Sequence, residues 1–96
     1  MKLDSKAAGV YAIAATPFLP DGRLDTASID RMVDFYLGCG VDGLTILGIM
    51  GEAQKLDADE ALAVARQVIA RAGVPIIVGV SSPGFAAMRA LARIVM

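Results

Sequence analysis

Apolar residues gather in three short runs, Val10 to Ala15, Leu44 to Leu47 and Ile76 to Val80, separated by stretches of mixed polarity. None of the runs alternates strictly. That is the pattern of strands covered on both faces, as in a parallel sheet flanked by helices. Between the first two runs, Ile29, Met32, Val33, Tyr36 and Leu37 recur at i, i+3, i+4, i+7 and i+8, one stripe of an α-helix. Asp25 or Thr26 can cap its start, and the glycines around Gly38 to Gly40 end it. After the second run, Asp57 with Glu60 three positions on predicts a capping box. Leu62, Ala65, Val68, Ile69 and Ala72 then form the expected buried face, with Gly73 and Pro75 as the stop. A third helix is predicted from near Ser82-Pro83, carrying Ala87, Ala90, Leu91, Ile94 and Val95.

The units repeat. A Gly-Val pair at Gly40-Val41 returns at Gly73-Val74, an offset of 33, and the strand starts near 10, 43 and 76 share it. Each unit is a strand and a helix with short connections, which restricts the fold to an α/β barrel or a doubly wound sheet. The doubly wound alternative normally carries a glycine-rich phosphate loop after its first strand. Here "ATPFLPDG" follows instead. The preferred expectation is a TIM (β/α)8 barrel, which needs about 250 residues. The 96 residues supply the first three units, so residues 1–96 are expected to be the N-terminal part of one barrel domain. The last helix has no closing glycine or polar tail, so the end at Met96 reads as a truncation.

Composition narrows the partners. The chain is 56% hydrophobic with net charge −1 and no basic cluster, which disfavours nucleic acid. No apolar run reaches the ~18 residues of a membrane span. Lys2 and Lys6 before "GVYAIAA" imitate a signal peptide, but Asp4 and Thr16-Pro17 interrupt the pattern, and a cytoplasmic chain is expected. There is no histidine, so neither a His/Cys metal site nor a His-activated thiol is expected. Cys39 reads as a small buried apolar residue near a helix end.

In an α/β barrel, chemistry resides on the loops that follow the strands. Here those loops are Thr16-Pro17, Gly48 to Glu52, and Ser81-Ser82. Thr16 can donate toward a substrate or serve a turn; Ser81 and Ser82 most simply end a strand and cap a helix. The segments "ATPFLPDGRLD", "GVDGLTILGIMGE", "KLDADE" and "VPIIVGV" occur in this order between Gly9 and Val80. Together they resemble the N-terminal third of the dihydrodipicolinate synthase/N-acetylneuraminate lyase family.

The resemblance implies a Schiff-base lyase or synthase that holds pyruvate or a related 2-oxo acid on a lysine, with no cofactor and commonly as a homo-oligomer. It places the lysine and two relay tyrosines beyond Met96, so no catalytic residue is expected in this segment. Tyr11 and Tyr36 read as core, and Lys2, Lys6 and Lys55 are not placed for an imine. The family loop usually reads G-[TS]-[TS]-G-E, its hydroxyls and N–H groups binding the substrate carboxylate.

Gly48, Gly51 and Glu52 match that loop, whereas Ile49 and Met50 replace both hydroxyl residues. Neither side chain can donate a hydrogen bond or pass a proton. The implied substrate-binding set is therefore Thr16, Gly48, Ile49, Met50 and Gly51, acting at the loop through backbone N–H groups. Ile49 and Met50 are equally compatible with a core position or the wall of an apolar pocket. Glu52 is expected to brace its own loop. Two other functions stay open from the residues: a repurposed, non-catalytic barrel that binds a small oxo acid, and an unrelated doubly wound binding module.

Overall fold

The computed structural model describes residues 4–80 and 84–95. Three strands, β1 (Tyr11–Ile13), β2 (Gly43–Ile46) and β3 (Ile76–Val78), alternate with three helices, α1 (Thr26–Gly38), α2 (Ala58–Arg71) and α3 (Phe85–Val95). The sheet has the order β1-β2-β3 and is parallel throughout. Its register aligns Ala12 with Leu44 and Leu44 with Ile76; one residue on, Ile13 faces Thr45 and Thr45 faces Ile77. This is the arrangement of the first three βα units of a TIM barrel.

Only one face of the sheet is packed. Leu44 and Ile46 from the central strand meet Ile29 and Val33 of α1 and Val64, Ala65 and Val68 of α2, all of them buried. On the neighbouring row, Ile13 and Ile77 remain 53% and 40% exposed. Alternation along a strand sends successive side chains to opposite faces, so the bare row is the face turned away from the helices.

Local chemistry sets the helix ends. The Asp25 carboxylate accepts from the Ser28 amide at 3.1 Å and caps α1. At α2 the capping box is complete: Glu60 N–H donates to Asp57 at 2.8 Å and Asp57 N–H donates to Glu60 at 3.1 Å. Such a cap is worth about 1 kcal/mol. The third helix begins within described residues at Phe85, and the Ser82-Pro83 start expected for it lies outside them.

Several side chains depart from the sequence expectation. Cys39 is exposed, because it follows the last turn of α1 between two glycines that bring no side chain to cover it. The buried stripe of α2 is Ala61, Val64, Ala65 and Val68, continued by Ala72. Its phase differs from the one expected, so Leu62 is half-buried and Ile69 is 38% exposed. Both line the outer groove between α2 and α3 together with Ile94 and Val95. A helix turns by 100° per residue, so a one-position error moves a side chain from the sheet to a flank.

A polar seam joins α1 to α2. Gln67 donates to the Thr26 carbonyl at 2.8 Å and to Asp30 at 3.1 Å, and Arg71 forks onto Asp34 at 3.0 and 2.6 Å. The Arg71 hydrogen bond holds the Asp34 carboxyl below its ordinary value of 3.8, and Asp34 in turn raises Arg71. A carboxylate whose folded pKa is depressed supports the fold above its unfolded pKa and loses that support as pH falls through the folded value. Titration of the Asp34 carboxyl carbon by NMR should give a midpoint below 3.8, returning to the ordinary value in Arg71→Gln. An unshifted midpoint in the unmodified chain would mean that the fork is open in solution.

Candidate functional site

The parallel strands bring the loops after β1 and β2 to one end of the sheet, as the order of strand and helix requires. The loop after β1 is tied down by its own backbone. Leu19 N–H donates to the Arg23 carbonyl at 2.7 Å and Gly22 N–H donates to the Leu19 carbonyl at 2.9 Å. Gly22 has φ +91°, a value glycine adopts without steric cost. Asp25 N–H then donates to the Pro17 carbonyl at 3.0 Å, delivering the chain to α1. Thr16, at the root of this loop, is buried at 8% exposure.

The loop after β2 carries the backbone strain. Leu47 and Glu52 are the two described non-glycine residues with positive φ, at 59° and 55°, and they bracket Gly48 to Gly51. A non-glycine residue held there costs on the order of 1–3 kcal/mol, so the surrounding structure must over-determine the loop. Part of that constraint is local. Glu52 N–H donates to the Ile49 carbonyl at 3.0 Å, and Ala53 N–H donates to the Gly48 carbonyl at 3.4 Å. The Lys55 ammonium meets the Glu52 carboxylate at 2.6 Å, across a single 3-10 turn formed by Ala53–Lys55. Glu52 thus braces its own loop.

The two glycines differ in their reason for being there. A Cβ on Gly51 would stand 3.0 Å from the Leu47 nitrogen and 3.2 Å from its Cα, so a side chain there would crowd the Leu47 backbone. A Cβ on Gly48 would meet nothing within 4 Å. Ile49 and Met50 are 88% and 61% exposed in these 96 residues. Among the described residues, the N–H groups of Ile49, Met50 and Gly51 donate to no protein acceptor. Three successive donors without a described protein acceptor thus lie beside exposed apolar side chains. No hydrogen bond joins Thr16 to this loop among the described residues, so the sheet aligns the two segments without linking them directly. Ser81 and Ser82 lie outside the described residues.

Leu47 was not visible as a site residue in the sequence, because it ends an ordinary apolar run. Its only signal is the glycine that follows, and that signal does not distinguish a turn from a left-handed pivot.

Three parallel strands alternating with three helices define the opening segment of an α/β barrel. The chain belongs to the dihydrodipicolinate synthetase family, whose model matches residues 6–93. It is 38% identical over 73 residues to a 4-hydroxy-tetrahydrodipicolinate synthase of Methylococcus capsulatus, covering 74% of this chain and 25% of that protein. It is similar to the crystal structure of a dihydrodipicolinate synthase from Rhodopseudomonas palustris, with 60% identity and a TM-score of 0.92. That similarity covers 100% of this chain and 32% of the other. A third relative is YagE, a prophage protein of Escherichia coli K12 in the dihydrodipicolinic acid synthase family, solved in complex with pyruvate. There the identity is 30% and the TM-score 0.86, over 95% of this chain and 31% of that one. The chain therefore spans about a quarter to a third of the length of the relatives it matches. Among the described residues, no helix is long and apolar enough to cross a membrane.

Proposed function

We propose that this chain is the N-terminal part of a single (β/α)8-barrel enzyme that forms a Schiff base with pyruvate or a related 2-oxo acid. The whole protein works as a cytoplasmic homo-oligomer and as a lyase or synthase. The loop from Gly48 to Gly51 receives the substrate carboxylate on the N–H groups of Ile49, Met50 and Gly51, and Thr16 borders the same end of the sheet. The observation that carries this reading is the run of three donors without an acceptor among the described residues, in a strained loop at the end of the central strand. A pyruvate complex of a family member supports the substrate class.

The chemistry divides between the loop and a lysine elsewhere in the barrel. Carboxylate binding orients the 2-oxo group, and the lysine amine attacks the carbonyl carbon with loss of water to give the imine. Backbone donors supply the binding without titrating. The exposed Ile49 and Met50 side chains supply an apolar wall and no proton path. These two replacements also favour a second reading, a repurposed barrel that binds an oxo acid without turning it over.

Borohydride reduction in the presence of pyruvate separates the two. The whole protein should yield one reduced adduct, on a lysine other than Lys2, Lys6 or Lys55, and the 96-residue chain alone should yield none. Absence of any adduct in the whole protein would leave only the non-catalytic reading. An adduct on Lys55 would displace the nucleophile assigned to the rest of the barrel.

A further inference from the structure

The end of β3 lies against the pivot of the β2 loop. Gly79 N–H donates to the Ile46 carbonyl at 2.9 Å, which continues the sheet one residue past the strand. A Cβ on Gly79 would stand 2.3 Å from the Leu47 carbonyl oxygen and 2.9 Å from its carbonyl carbon. Those are backbone atoms, and they cannot step aside as a flexible side chain can. Leu47 itself is 1% exposed and held at φ 59°, with Gly51 closing on its nitrogen from the other side. The pivot is thus enclosed: its side chain by the core, its nitrogen by Gly51, its carbonyl by Gly79.

We infer that Gly79 is a positioning residue for the carboxylate-binding loop. Its bare Cα lets β3 approach closely enough to hold Leu47 in the left-handed conformation, and that conformation aims the donors of Ile49, Met50 and Gly51. Gly79 need not touch the substrate, and its role rests on the proposed use of the loop. Any side chain at position 79 must push the Leu47 peptide away, and the loop turns with it. A misplacement of about 1 Å in a binding group is enough for a loss of ~100-fold.

The test compares Gly79→Ala with Val64→Ala in the whole protein. Val64 is buried on α2, so its truncation weakens the helix layer without touching the pivot. Gly79→Ala should raise the pyruvate KM on the order of 10–100-fold, and shift the amide resonances of Ile49, Met50 and Gly51. Val64→Ala should do neither. Unmoved resonances and an unchanged KM in Gly79→Ala, or equal effects in both variants, would overturn the role.

Should Gly79→Ala not fold, Leu47→Ile and Leu47→Met decide. Isoleucine keeps the volume but its branched Cβ resists positive φ, whereas methionine keeps both volume and unbranched freedom. The isoleucine variant should lose pyruvate affinity and the methionine variant retain it; matching behaviour would refute the pivot. If the unmodified protein takes up no pyruvate, the resonances alone judge the positioning role, so the two readings fail separately.

Discussion

Replacing Ile49 and Met50 together by threonine in the whole protein is expected to strengthen pyruvate binding and to speed condensation with an aldehyde such as aspartate semialdehyde. Both side chains are exposed in the 96 residues, so hydroxyls placed there would displace none of the packing among them. A hydrogen bond to a charged group contributes roughly 1.5–3 kcal/mol, or ~10- to 100-fold per bond. At positions 49 and 50 the present loop offers backbone donors alone, and neither the Ile49 nor the Met50 side chain can relay a proton from the imine. The unmodified enzyme should accordingly favour retro-aldol cleavage or dehydration of a more apolar oxo acid over condensation. Steady-state kinetics with pyruvate and aspartate semialdehyde on both proteins supply the check. Efficient synthase turnover by the unmodified enzyme, unimproved by the double change, would show that the missing hydroxyls do not matter.

The second large effect concerns the 96 residues by themselves. Expressed alone, they are expected to self-associate and to melt broadly, without a cooperative transition. One face of the sheet is bare, with Ile13 and Ile77 exposed, and β1 and β3 are edge strands among the described residues. Unpaired edges and uncovered apolar faces drive association between chains. Helix faces add to this, since Phe85 and Ile94 of α3 are 84% and 54% exposed. Sedimentation and thermal circular dichroism would decide. A monomer with a sharp two-state melt would show that the single packed face suffices for an independent fold.

The helix caps were legible because they depend on groups three positions apart. Asp25 with Ser28 and Asp57 with Glu60 satisfy their N-termini wherever the helix lies in the molecule. The shared end of the post-strand loops was legible too, since it follows from a parallel βα repeat. The phase of the α2 stripe was not. Leu62 and Ile69 fit a helical period as well as Ala61 and Val64 do, and only the position of the sheet selects between them.

By itself, then, the sequence determined the repeat, the parallel order, the family and the loss of both loop hydroxyls at Ile49 and Met50. These follow from local spacing, from residue identity and from motifs read in order. The tertiary structure alone decided that Leu47 is held at positive φ, that a side chain on Gly51 would crowd Leu47 while one on Gly48 would meet no described atom, and that Gly79 lies against the Leu47 carbonyl from the next strand. It also decided that Cys39 is exposed. The physical reason is the same in each case. Steric demand and burial at a residue are set by atoms that come near it only when strands distant in sequence pair, and no local pattern encodes where those atoms will be.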